Sequence, residues 1–135
     1  MAITFVDAGV LIAAARGREE LALAAIAILD DLDRSFASSD FVRLEILPKA
    51  LFNGKIQEAQ FYEEFFGAVS LWPADIGRVV THASDLGTKF GLAALDALHV
   101  AAAVSVGAEE FITTEKPDKP LHRVTDIRVR STHPG

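Results

Sequence analysis

Short apolar runs that stop at polar residues alternate along this chain with longer stretches of helical spacing. Ala2–Val6 is apolar and ends at Asp7, the pattern of a buried strand. A short helix over Val10–Ala15 follows. In Glu19–Leu32 the residues Leu21, Ala24, Ala25, Ile28, Leu29 and Leu32 fall at helical spacing, with acids in the first turn where the helix dipole favours them. Ser35–Ser39 reads as a second strand, and Ser39 or Asp40 can cap a helix over 41–52 that Asn53-Gly54 ends. Pro48 costs about 3 kcal/mol inside a regular helix, which predicts a kink or an early stop there. Further helices are predicted over about 57–67, 75–89 and 93–106, the last two separated by Gly91. Val69–Trp72, stopped by Pro73, reads as a third strand, Glu110–Thr114 as a fourth and Ile127–Arg130 as a weaker fifth. No repeat, linker or low-complexity tract interrupts this order. Strands alternating with helices, with crossovers long enough for βαβ units, predict a single α/β domain over 1–135. Its four- or five-stranded, mainly parallel sheet would be flanked by helices.

Composition narrows the chemistry. Half the residues are hydrophobic and 24% are charged, as in ordinary globular domains. With no cysteine, disulfides, zinc–thiolate sites and thiol nucleophiles are excluded. The apolar N-terminus lacks a basic leader and is interrupted by Asp7, and no apolar run reaches the ~18–20 residues needed to span a bilayer. A cytoplasmic protein with no membrane association is expected. The net charge of −6 argues against nucleic-acid binding by bulk positive charge. The charge is uneven, however. Residues 1–115 carry 8 basic and 17 acidic side chains, whereas residues 116–135 carry 5 basic and 2 acidic ones.

Four acids stand out by position. Asp7 and Glu115 follow apolar strands, at the carboxyl edge where parallel sheets bind ligands. Asp96 lies in the first turn of an otherwise apolar helix, and Glu45 within the apolar stretch LEILPKALF. Singly, each has a structural explanation: Asp7 as a turn or cap residue, Glu45 as a surface partner of Lys49 at i+4, Asp96 as a charge complementing the helix dipole, Glu115 as a loop residue. Together, carboxylates gathered at one edge raise one another's pKa values. A hard divalent cation relieves that conflict, and Mg²⁺ takes oxygen ligands while keeping several waters.

The segments FVDAGVLIAA, SSDFVRLEILPKAL, LDALHVAAA and FITTEKP, in this order and spacing, resemble the PIN-domain nucleases. The resemblance covers nearly the whole chain and is greatest to the short VapC-like toxins of toxin–antitoxin pairs. It implies an endoribonuclease dependent on Mg²⁺ or Mn²⁺, with Asp7, Glu45 and Asp96 as core acids and metal ligands. Glu115 falls at the family's fourth acid, with Asp118 as a substitute, and Thr113 or Thr114 at a polar position beside it. The chain departs from the family at Glu115, where aspartate is usual, and at Gly9, where Asn or Ser is frequent. These departures motivate the alternative of a catalytically impaired PIN-like binding or regulatory module. An antitoxin protein and a homodimer are the partners implied, besides RNA.

The remaining features bear on substrate and partners. EKPDKPLHR sets Lys116, Lys119, His122 and Arg123 beside the proposed site. Thr114, Lys116, Lys119 and Arg123 are therefore candidates for contacts to RNA phosphates, as against a solvated loop. The stripe Phe61, Tyr62, Phe65 and Phe66 is wider than one buried face needs, leaving core packing and an interface both open. Trp72 is expected in the core, and His99 as a core histidine or one supporting the site rather than a ligand. Neither GxGxxG nor GxxxxGK[ST] occurs. The second aspartate that haloacid-dehalogenase-type phosphotransferases need two residues after the first is replaced by Gly9.

Overall fold

A computed structural model of the chain describes residues 2–133. The ends of the expected domain, Met1, Pro134 and Gly135, lie outside the described residues. Four strands, β1 (Ala2–Val6), β2 (Arg34–Ala37), β3 (Glu110–Thr113) and β4 (Arg128–Ser131), form one sheet of order β2-β1-β3-β4. Every pairing is parallel. Six α-helices lie among the described residues: α1 (Ala8–Arg16), α2 (Glu19–Leu29), α3 (Asp40–Phe52), α4 (Ile56–Ala68), α5 (Ile76–Phe90) and α6 (Ala94–Ser105). A 3-10 turn over Pro120–Arg123 joins β3 to β4.

The chain leaves β1 for β2 on one side and returns to β3 on the other. The strand order therefore reverses between β1 and β3, and the carboxyl end of such a switch point opens a crevice. Phe5 faces Phe111 in register across this pair, and their rings stack 5.6 Å apart in the core. α5 packs Val79, Ala83 and Leu86 inward from one stripe. It ends at Gly91, whose φ of 70° is the left-handed cap that favours glycine. α6 buries Ala97, Val100, Ala101, Ala102 and Ala103, small residues that let it lie close to its neighbours.

Several expectations are corrected. Val69–Trp72 does not become a sheet strand. It meets the free edge of β2 through one bridge, Ala37 to Leu71, and Pro73, which has no N–H, prevents a longer ladder. Trp72 is partly exposed at this edge rather than in the core. The second helix stops at Leu29, not Leu32. Asp31 turns the chain there, its carboxylate accepting from the Asp33 N–H at 2.9 Å and Arg34 Nε at 3.0 Å. α3 runs unbroken through Pro48. Pro48 and Leu44, whose carbonyl the proline deprives of a donor, are both exposed, so the lost bond lies on the solvent side. Ser39, not Asp40, caps α3, its Oγ accepting from the Val42 N–H at 3.3 Å. Of the aromatic stripe, Tyr62 and Phe66 are buried, and Phe61 and Phe65 pack against the core, which favours the packing explanation.

Candidate functional site

The candidate site at the carboxyl ends of β1 and β3 is built from the last residues of each strand. Side chains alternate along a strand, so Asp7, two residues after Phe5, shares a face with Thr113, two residues after Phe111. The Asp7 N–H donates to the Ile112 carbonyl at 3.0 Å, which ties the two strand ends together. Asp7 also caps α1, with Oδ1 accepting from the Val10 N–H at 3.3 Å. Structural and site roles thus coincide in this one residue, which is only 7% exposed. Burial pushes its carboxyl up to about 6, against the opposing pull of the Thr113 hydroxyl, the His99 ring and the Val10 N–H, with Asp96 adding a further push upward.

Thr113 hydrogen-bonds Asp7 and accepts from the Glu115 N–H at 3.1 Å, linking the first acid to the fourth. The Glu115 carbonyl accepts from Ser131 Oγ at 2.7 Å and His122 Nε2 at 3.0 Å, which anchors this loop to β4 and the 3-10 turn. Asp96 approaches from the first turn of α6 and is half-buried. Its carboxyl is raised by burial, opposed by His99 and reinforced by the charges of Glu115 and Glu45. Asp118, exposed three residues beyond Glu115, is not among the charges acting on it. All four predicted acids are therefore in one electrostatic neighbourhood, although they come from four different segments.

Glu45 does not pair with Lys49. Its Oε1 lies 2.7 Å from Nε2 of His99, which is one turn after Asp96 on α6 and 2% exposed. A carboxylate oxygen accepts, so Nε2 carries the proton of this bond. Nδ1 is buried without a hydrogen-bond partner among the described residues. His99 thus supports the site, holding Glu45 beside the other acids.

The Gly9 departure also acquires a physical meaning. A Cβ at residue 9 would lie 2.4 Å from Thr114 Oγ1 and 3.3 Å from Asp7 Oδ1. The Thr114 hydroxyl occupies the space a larger residue 9 would fill, so the site keeps a polar group there. Sequence reading placed Thr114 among the candidates but could not show that it and Gly9 are complementary. Of the two threonines offered for the polar position, Thr113 is the one that hydrogen-bonds Asp7, as the alternation along β3 places it on that face. Lys116 and Lys119 are exposed beside Glu115. Arg123 donates from Nη1 to the Phe90 carbonyl at 3.1 Å, at the C-terminus of α5.

The donor set is all-oxygen and self-repelling, and its buried member is raised well above the usual carboxylate range. That chemistry suits a hard divalent cation. Among the described residues no three histidine or acidic side chains already form a metal-holding group. Mg²⁺ does not require such a cage, since it is commonly held by one or two carboxylates and retains several waters.

Comparison with known proteins agrees with this geometry. The family model described as PIN domain matches residues 4–124. The chain belongs to the PIN-domain family. No curated protein matches it. Among solved structures, it resembles a chain of VapBC2 from Rickettsia felis bound to a DNA fragment from their promoter, with a TM-score of 0.71 at 14% identity, covering 96% of this chain and 98% of that one. DNA-bound VapBC from Salmonella typhimurium gives 0.70 at 14% identity over 98% and 99% of the two chains. VapBC-1 from nontypeable Haemophilus influenzae gives 0.67 at 15% identity over 96% and 98%. At these identities the likeness is one of fold. No helix among the described residues is long and apolar enough to cross a membrane.

Proposed function

We propose that this PIN-domain protein is a metal-dependent endoribonuclease that hydrolyses RNA phosphodiester bonds, of the VapC-like toxin type. The observation that carries the reading is the buried Asp7 carboxyl at the β1/β3 switch point, pushed up to about 6 and electrostatically coupled to Asp96 and His99. Asp7 and Asp96 are the principal ligands of a Mg²⁺ or Mn²⁺ ion, with Glu45 ligating directly or through water and Glu115 completing the set. When bound, such an ion activates water and offsets charge on a phosphate under in-line attack.

The chain's own residues prepare that site. Thr113 and the α1 N-terminus orient Asp7. His99 fixes the Glu45 carboxylate. The Thr114 hydroxyl, packed against Gly9 near Asp7, is the donor for a phosphate oxygen. Lys116 and Lys119 supply positive charge beside Glu115 for neighbouring phosphates, and Arg123 remains a candidate from the same loop. An antitoxin partner is proposed from the VapBC identity of the structural neighbours, and a homodimer from the resemblance to VapC-like toxins.

The test is incubation of purified protein with a mixed RNA pool in Mg²⁺ or Mn²⁺ and, separately, in chelator. Cleavage that requires the ion is expected. Well-folded protein that cuts nothing with either ion would instead support the catalytically impaired binding module.

A further inference from the structure

A second charged feature adjoins the acid cluster from the side of α1, α3 and α4. A cleft of about 220 Å³ is lined by Arg16, Glu45, Lys49, Asn53, Lys55 and Glu58, among others. This cleft neighbours the acid cluster, because Glu45 lines the one and belongs to the other. Its acids are already engaged: Glu45 by His99, and Glu58 by the Tyr62 hydroxyl at 3.0 Å and by Arg16 Nε at 3.9 Å. Its lysines are not. Among the described residues neither Lys49 nor Lys55 forms an ion pair; Glu45, one helical turn before Lys49, is turned toward His99 instead. α4 begins beside Lys55 without a side-chain cap, adding the positive end of its dipole. In a protein of net charge −6, two lysines outside any ion pair, with Arg16 lining the same cleft beside the acid cluster, require an explanation.

The geometry points to this cleft as a binding subsite for the RNA backbone, in which Arg16, Lys49 and Lys55 hold a phosphate next to the one that is cut. This rests on the RNA-cleaving reading above and extends it to residues outside the β3 loop. The cations of this cleft come from α1, α3 and the start of α4, whereas Lys116 and Lys119 follow β3, so two separate segments of the chain would supply positive charge to one bound strand. Asn53, an amide that can donate and accept, gives the cleft a group able to meet sugar or base atoms. Phosphate contacts of this kind position a strand without reading its sequence.

The test measures binding separately from cutting. A fluorescent single-stranded RNA is titrated, over a range of salt concentrations, into the Asp7→Asn protein and into Asp7→Asn carrying Arg16→Ala, Lys49→Ala and Lys55→Ala. Each released phosphate contact to a single strand lowers the salt slope of log affinity by about 0.7, so the triple replacement should flatten it by about 2 and weaken binding at least about tenfold. Lys49→Arg with Lys55→Arg should retain both affinity and slope. Arg78→Ala, which lies with Val104 and Ser105 toward the opposite end of α6, should change neither. Unaltered affinity and slope in the folded triple variant would overturn the subsite. If wild type nonetheless cuts RNA, the nuclease reading stands and the cleft serves another ligand, such as an acidic polypeptide. Wild type that neither cuts nor holds RNA removes both.

Discussion

Asp7→Asn exchanges a buried carboxylate for a neutral amide of nearly the same shape. The carboxyl titrates at about 6 in the folded chain against an ordinary value of 3.8. The folded state therefore binds this proton more tightly than the unfolded state does. The corresponding stability is fully present below about pH 4 and is lost as pH rises toward 6. At neutral pH the ionised group leaves the fold about 3 kcal/mol less stable than a protonated one would, at 1.36 kcal/mol per pH unit. Asparagine stays neutral throughout, still caps α1 well and can still accept from Thr113. In the presence of chelator, urea unfolding near pH 7 should show the variant more stable by up to about 3 kcal/mol, or roughly 10 °C in Tm. The difference should close near pH 4. Saturating Mg²⁺ should narrow it at neutral pH by stabilising the wild type alone. A variant no more stable than wild type at pH 7, or a difference that ignores pH, would refute the reasoning, because the repulsion and burial at this edge would then not be opposing the charge.

Other consequences follow from the contacts around the acids. Gly9→Ser should destabilise by about 1–3 kcal/mol in urea unfolding, because its Cβ meets the Thr114 hydroxyl, and adding Thr114→Ala should recover most of that loss. His99→Ala should cost about 2–4 kcal/mol by thermal or urea melts, since it empties a buried volume and releases Glu45. The same variant should cleave RNA more slowly, and retained full activity would show that Glu45 needs no such support.

Much of this candidate site is legible in the chain itself. Asp7 and Glu115 were legible because an apolar run ending in an acid marks the carboxyl end of a buried strand. Asp96 was legible as a charge in an alanine-rich helix. What stayed hidden depends on contacts distant in sequence. The i+4 spacing of Glu45 and Lys49 suggested a surface pair, but helical spacing cannot anticipate a buried histidine 54 residues away that takes the carboxylate instead. Gly9 looked like a lost polar group because the sequence does not show that Thr114 fills the same space. Val69–Trp72 has strand composition, yet it lies at the free edge of β2 beside a proline, where one bridge is all that forms. Pro48 signalled a broken helix, but an exposed position and the packing of Val42, Ile46, Leu47 and Ala50 keep α3 whole.

The most direct test of the central claim is RNA cleavage in Mg²⁺ or Mn²⁺ by wild type and by Asp96→Asn, with folding checked by circular dichroism. Asp96 caps no helix through its side chain, so its replacement probes the acid cluster with little effect on the fold. The account predicts ion-dependent cutting by wild type that falls on the order of a hundredfold or more in the folded variant. Ion-dependent cutting at an undiminished rate in Asp96→Asn would contradict it and place the chemistry away from the β1/β3 crevice.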